Sequence, residues 1–160
     1  MLLNKSLQLP LRIARRKKGK ARTQFAALPW RLQGGTVQIC LITSRGSGRW
    51  ILPKGWPINR QTPAEAAATE AREEAGLIGT PDDRCLGVYS YVKRGDRSRT
   101  PHLAMVYGIE VTQVLQDWDE RRQRRRKWFS LAEAAARVDE PELRHIITGF
   151  DPLAETRRLG

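Results

Sequence analysis

Apolar positions dominate two β-like runs, QFAALPWRL from Gln24 to Leu32 and TVQICLITS from Thr36 to Ser44. Short apolar runs of this kind predict two strands, and the Gly34-Gly35 pair between them predicts a hairpin. A turn at Arg45–Arg49 (RGSGR) leads to a short strand, WIL, and then to a loop punctuated by proline and glycine. The pattern next changes to an alanine-rich segment. Thr62 suits its N-cap, Pro63 its first helical position, Glu65 the third position of a capping box, and Gly76 its left-handed end. Gly79 to Asp83 reads as a turn-rich connection. Cys85 to Lys93 and His102 to Val111 alternate between apolar and polar positions and predict two strands, joined by an exposed basic loop from Arg94 to Pro101. Gln113 to Lys127 is a polar loop around Trp118, and Trp128-Phe129 is a brief strand. Ser130, with Glu133 three residues on, caps a helix that runs to Val138, and Glu140 to Phe150 forms a last amphipathic helix. Strands on either side of an alanine-faced helix, with helices at the end, predict a mixed sheet covered on both faces. This is the α/β class, in an α/β/α sandwich.

At 160 residues one domain is expected, without internal repeats. Residues 1–21 read as a basic arm, 22–150 as the domain and 151–160 as a C-terminal tail. No apolar run approaches the roughly 18 residues that span a membrane, so no membrane span is expected. The first twenty residues lack the long apolar core of a secretory leader, which favours a cytoplasmic location. Cys40 and Cys85 are far apart and have no CxxC partner, so neither a disulfide framework nor a zinc site is indicated; Cys40 belongs to an apolar run and to the core.

Charge changes the picture more. A net charge of +12 attracts polyanions: nucleic acid, nucleotides, inositol phosphates or an anionic membrane surface. Much of the excess lies in Arg15–Arg22 and Arg121–Lys127. Each run alone is more often a solvated tail or loop than a binding site.

Within the alanine-rich helix, Glu70, Glu73 and Glu74 share an arc of about 100°. Ala64, Ala67, Ala68, Ala71 and Ala75 form an adjoining face, small enough to lie close against a sheet. Like charges at this spacing weaken a helix unless a hard cation such as Mg²⁺ offsets the repulsion, because such cations prefer oxygen ligands. The periodicity alone fits either a solvated acidic face or a cation site.

The stretch from Gly55 to Leu77 resembles the Nudix box, the loop-helix signature G-x5-E-x7-R-E-U-x-E-E-x-G-U in which U is aliphatic. Gly55, Glu70, Ala71, Glu73, Glu74, Gly76 and Leu77 fall in register. Gln61 and Thr69 stand where the signature has glutamate and arginine, a supporting ion pair in the family. Replacing both ends strands no charge, and the two side chains can hydrogen-bond instead. The resemblance covers roughly residues 22 to 150. The segments ITSRGSGRWILPKGW, EVTQVLQDWDE and KWF are similar to the diphosphoinositol polyphosphate phosphohydrolase branch, whose members also cleave diadenosine polyphosphates.

The resemblance implies a Nudix-type fold and a hydrolase of phosphoanhydride bonds. It implies that Glu70, Glu73 and Glu74, joined by the Gly55 carbonyl, hold Mg²⁺ or Mn²⁺, with one glutamate, Glu73 by preference, as base. Family position and charge make Arg45, Arg49 and Lys54 phosphate contacts, with hydroxyls from Thr43 and Ser44. Arg22 and Arg31 are further candidates, as are Lys93, Arg94, Arg97 and Arg99. Trp56 either stacks on a base or shapes the pocket, and Trp118 is read as a packing anchor. His102 and His145 are read as structural or surface residues. Asp117, Asp119 and Glu120 are expected to solvate their loop, an extra metal ligand being the alternative. The leading function is pyrophosphohydrolysis of diphosphoinositol or dinucleoside polyphosphates. Its alternatives are an RNA 5′ pyrophosphohydrolase, with nucleic acid held by the basic runs, and a non-catalytic polyphosphate or nucleic-acid binder.

Overall fold

The computed structural model describes residues 22–93 and 97–154. The basic arm at 1–21, Arg94 and the tail beyond residue 154 lie outside the described residues. Strands β1 (Arg22–Gln33) and β2 (Thr36–Thr43) form the expected hairpin, with Trp30 opposite Ile39 and Gln33 opposite Thr36. The strand β3 (Trp50–Ile51) turns back to pair antiparallel with β2, and β4 (Lys54–Gly55) pairs with β1 so that Gly55 faces Phe25. Helix α1 (Pro63–Ala75) follows, then β5 (Leu77–Val92), β6 (Pro101–Val114), β7 (Arg126–Ser130), α2 (Leu131–Arg137) and α3 (Pro141–Thr148).

Among the described residues one seven-stranded sheet runs β3-β2-β1-β6-β5, with β4 attached to β1 and β7 to β2. The β1–β6 pair is parallel and the other pairs are antiparallel, which makes the sheet mixed. The period of two sorts the strand residues into two cores. Phe25, Ala27, Tyr107 and Ile109 pack with Ala64, Ala67 and Ala71 of α1. Ala26, Leu28, Ala104 and Val106 pack on the opposite face with Ala134, Ala135, Leu143 and Ile147 of α2 and α3. Helices therefore cover both faces, as the sequence predicts.

One expectation is corrected. Gly79 to Asp83 is not a turn-rich connection, because β5 already begins at Leu77, with Thr80 opposite Glu110 and Pro81 opposite Ile109. The ladder absorbs these turn-prone residues through register shifts between Ile78 and Gly79 and between Pro81 and Cys85. An edge strand tolerates a proline because one row of its amide groups needs no partner. The long β6 supplies the template that local propensity alone could not.

Candidate active site

Helix α1 is fixed at both ends. The Glu65 amide donates to Thr62 Oγ1 at 3.2 Å and the Thr62 amide donates to Glu65 Oε1 at 3.3 Å, which closes the capping box. At the other end Gly76 adopts φ 64°, a left-handed conformation that favours glycine. A Cβ on Gly76 would stand 2.7 Å from both the Trp118 ring and Arg126 Nη1.

The loop after β6 grips the free carbonyls at this end of the helix. Trp118 Nε1 donates to the Glu74 carbonyl at 3.1 Å, and the Glu120 amide donates to the Glu73 carbonyl at 3.2 Å. Arg126 Nη1 donates to the Ala75 carbonyl at 2.9 Å while its guanidinium lies 4.0 Å from the Trp118 ring centroid. A cation at a helix C-terminus also meets the negative end of the helix dipole. Trp118 is thus the packing anchor that the sequence suggests, and what it anchors is the end of the helix that carries Glu73 and Glu74.

The helix carboxylates sit among cations and one another. Glu74 is buried; its Oε2 accepts the Lys54 amide at 3.1 Å, and its Oε1 pairs with Arg124 Nη2 at 3.3 Å. The same Arg124 nitrogen lies 3.4 Å from Glu120 Oε1, and Arg124 Nη1 donates to the Thr43 carbonyl at 3.1 Å. Burial pushes Glu74 up to about 7, an effect that Arg124 and the Lys54 amide oppose. Glu70 is also raised to about 7, first by burial and then by the negative charges of Glu74, Glu73 and Glu120. Beside Glu70 lies Gly55: a Cβ built there would overlap the whole carboxylate, 2.9 Å from Oε2 and closer to Oε1 and Cδ.

Among the described residues no three carboxylate, imidazole or thiol groups form a closed metal cage. The donor set nonetheless fits a hard divalent cation on two observations. The Glu70 carboxylate occupies the space that a side chain at Gly55 would fill, so oxygen donors of helix and loop backbone come together there. The mutual repulsion that raises Glu70 is a cost that a cation would offset.

Gln61 and Thr69 meet as their residue types allow. Thr69 Oγ1 lies 3.0 Å from Gln61 Oε1 and 3.1 Å from the Glu65 carbonyl, so one hydroxyl proton ties the loop to the helix. A neutral hydrogen bond takes the place of the ion pair.

The proposed phosphate contacts divide. The Lys54 ammonium lies 4.8 Å from the Tyr91 ring centroid, and burial lowers its pKa to about 8. Arg49 is bound to Glu140 at 2.8 Å and Asp139 at 3.4 Å, which joins the strand before the loop to the α2–α3 turn. Arg45 is exposed and pairs with Glu120 at 3.5 Å and Gln123 at 3.1 Å. Thr43 is buried, and its hydroxyl accepts the Arg125 amide at 2.9 Å; the Ser44 hydroxyl meets that of Ser47. Arg22 is exposed beside Trp56, at 5.9 Å from its ring. Arg31 lies at the hairpin end of β1, 4.0 Å from the Trp128 ring and 2.9 Å from Gln38 Oε1, and is not brought to the carboxylates. Lys93, Arg97 and Arg99 are exposed. His145 is exposed on α3, whereas His102 is buried and stacked on Tyr91.

Arg124 escapes sequence reading, and Glu120 departs from the role expected for it. Glu120, expected to solvate its loop, turns into the carboxylate cluster, and Arg124, one of several arginines in a charged run, becomes the buried partner of Glu74. The loop has no periodicity from which side-chain direction could be read; its QDWDE segment was the available signal.

An acidic helix is clasped to a glycine loop and set on a mixed sheet between two helical layers. A family model for the NUDIX domain matches residues 20–150, and the chain belongs to that family. It is 33% identical over 122 residues to Nudix hydrolase 16, mitochondrial, of Arabidopsis thaliana, covering 73% of this chain and 67% of the relative. It is 34% identical over 111 residues to human diphosphoinositol polyphosphate phosphohydrolase 3-beta, covering 68% of this chain and 64% of the relative. The chain spans roughly two thirds of the length of each of these relatives. A solved structure of the Caenorhabditis elegans Ap4A hydrolase binary complex matches in fold with a TM-score of 0.63 and 20% identity, over 80% of this chain and 93% of that one. No helix among the described residues is long and apolar enough to cross a membrane.

Proposed function

We propose that the chain is a metal-dependent pyrophosphohydrolase that cleaves a diphosphate linkage in diphosphoinositol polyphosphates or dinucleoside polyphosphates. The observation that carries this reading is the seating of Glu70 against Gly55, beside Glu73 and Glu74 on a helix fixed at both ends. Glu70, Glu73, Glu74 and the Gly55 carbonyl hold Mg²⁺ or Mn²⁺ in this reading. When bound, such an ion polarises phosphoryl oxygen and makes bound water more acidic. Glu73 serves as base, since Glu74 is already engaged by Arg124 and Lys54. Lys54 and Arg22 hold phosphate charge, and Arg45 joins them when it leaves Glu120. Arg49 acts through the α2–α3 turn, to which both of its ion pairs tie it.

The human and nematode relatives bear names that fit this substrate class. A cytoplasmic location is part of the proposal, although the Arabidopsis relative is named as mitochondrial. Glu73→Gln and Glu74→Gln variants, assayed on both substrate types with Mg²⁺ and with Mn²⁺, test the reading. Loss of turnover in folded protein is expected, and full activity in both variants would sink it.

The RNA reading draws on the basic runs, but Arg124 and Arg126 of the second run turn inward to Glu74 and to the end of α1. The non-catalytic reading draws on Gln61 and Thr69, whose hydrogen bond preserves the tether between loop and helix. Both therefore rank below hydrolysis of a small substrate.

A further inference from the structure

The residue after Gly55 is Trp56, a large aromatic side chain that keeps 43% of its surface exposed. It does not stand alone. Its ring lies 6.2 Å from the His102 ring at an interplanar angle of 52°, and His102 stacks on Tyr91 at 5.3 Å and 26°. The strands dictate this grouping, because Tyr91 of β5 is directly opposite His102 of β6, and His102 is level with Arg22 of β1. His102 Nδ1 is 3.0 Å from the Thr100 carbonyl, and Tyr91 hydrogen-bonds Gln24, so the imidazole and phenol are held in place.

Cations frame the aromatic rings. Arg22 lies 5.9 Å from the Trp56 ring, and Lys54 lies 4.8 Å from the Tyr91 ring.

A substrate made only of phosphate and a polyol needs cations and hydroxyl partners. It gains little from an exposed indole. A nucleobase gains a stacking surface, and base–aromatic stacking is sequence-tolerant because every base has a π-face. The adjacency of Trp56 to Gly55 puts that surface one residue from the carbonyl assigned to the cation.

We propose that Trp56, backed by His102 and Tyr91, forms a nucleobase-stacking platform, so that the substrate is a nucleobase-bearing polyphosphate rather than an inositol pyrophosphate. This rests on the hydrolase reading above and selects between its two substrate classes. Arg22 and Lys54 then span the phosphates between platform and carboxylates. No covalent step is added, and Trp56 is a specificity residue.

Calorimetry with adenosine monophosphate and with ribose 5-phosphate separates the base from the sugar phosphate. Wild-type protein is expected to bind the nucleotide at least tenfold more tightly, Trp56→Ala to lose that difference, and Trp56→Phe to retain most of it. Turnover of diadenosine tetraphosphate and of diphosphoinositol pentakisphosphate gives the second readout. The KM ratio between the two should shift at least tenfold against the nucleotide in Trp56→Ala. Equal binding of the two probes by wild type, or an unchanged difference in Trp56→Ala, overturns the platform. If wild type binds the nucleotide selectively yet hydrolyses neither compound, the hydrolase reading fails while the platform stands. If it hydrolyses the inositol compound with no preference for the base, the reverse holds.

Discussion

Gly55 and Glu70 are so closely apposed that no other side chain fits at position 55 without displacing the carboxylate. The backbone of β4 and the acidic face of α1 meet through this contact. The glycine is required here by lack of space, whereas Gly76 is required by its left-handed backbone as well.

Replacing Gly55 with alanine should therefore affect function more than stability. The obstructing group is the flexible end of Glu70, which can swing aside, so a stability change within about 1 kcal/mol is expected. Affinity for divalent cation and turnover should both fall at least tenfold. Calorimetric titration with Mn²⁺, beside a thermal melt, checks the split.

Gly76→Ala should behave in the opposite way. Its new methyl group meets the Trp118 ring and Arg126, both of which are pinned to helix carbonyls, and the residue must keep a positive φ. Strain and collision together predict a loss of about 2 kcal/mol or more. Chemical denaturation measures it directly.

Arg124→Met tests the buried ion pairing. Removing the guanidinium leaves Glu74 buried without its main cation. A loss of about 3 kcal/mol is expected without metal, in line with a broken buried pair. Added Mg²⁺ should recover part of it if the helix carboxylates bind the ion, and a melt with and without Mg²⁺ reads this out.

The pH dependence has a definite sign. Glu70 and Glu74 are raised in the folded state to about 7, from an ordinary value of 4.5. Between those values the native state holds more protons than the unfolded chain, so the contribution of these two groups to stability falls as pH rises through that window. Metal-free protein should show this decline in thermal melts from pH 4.5 to 7, and saturating Mg²⁺ should flatten it. Lys54, lowered to about 8, loses its charge above that pH, so KM for an anionic substrate should climb there.

The Gln61–Thr69 contact is a neutral tether of about 1 kcal/mol. Thr69→Val should cost roughly that amount, and a Gln61→Glu/Thr69→Arg double variant should match or exceed wild-type stability. The single Gln61→Glu variant, with no arginine opposite, should gain nothing. A double-mutant cycle in denaturant isolates the coupling.

Much of this protein was legible in one dimension because the physics involved is local. The apolar runs of β1 and β2, the Gly-Gly hairpin, the Thr62–Glu65 capping box and the left-handed Gly76 each depend on neighbours within a few residues. The arc of Glu70, Glu73 and Glu74 follows from helical period alone. Tertiary structure decided the rest through partners far apart in the chain. It drew Gly79 to Pro81 into β5 because β6 lay alongside, and turned Glu120 and Arg124 toward the helix from a loop without periodicity. It committed Arg49 to Glu140 and left Arg31 at the far end of β1, although charge alone made both candidates for phosphate. A sequence displays which side chains carry charge or aromatic surface; where those groups meet depends on strand pairing and loop closure.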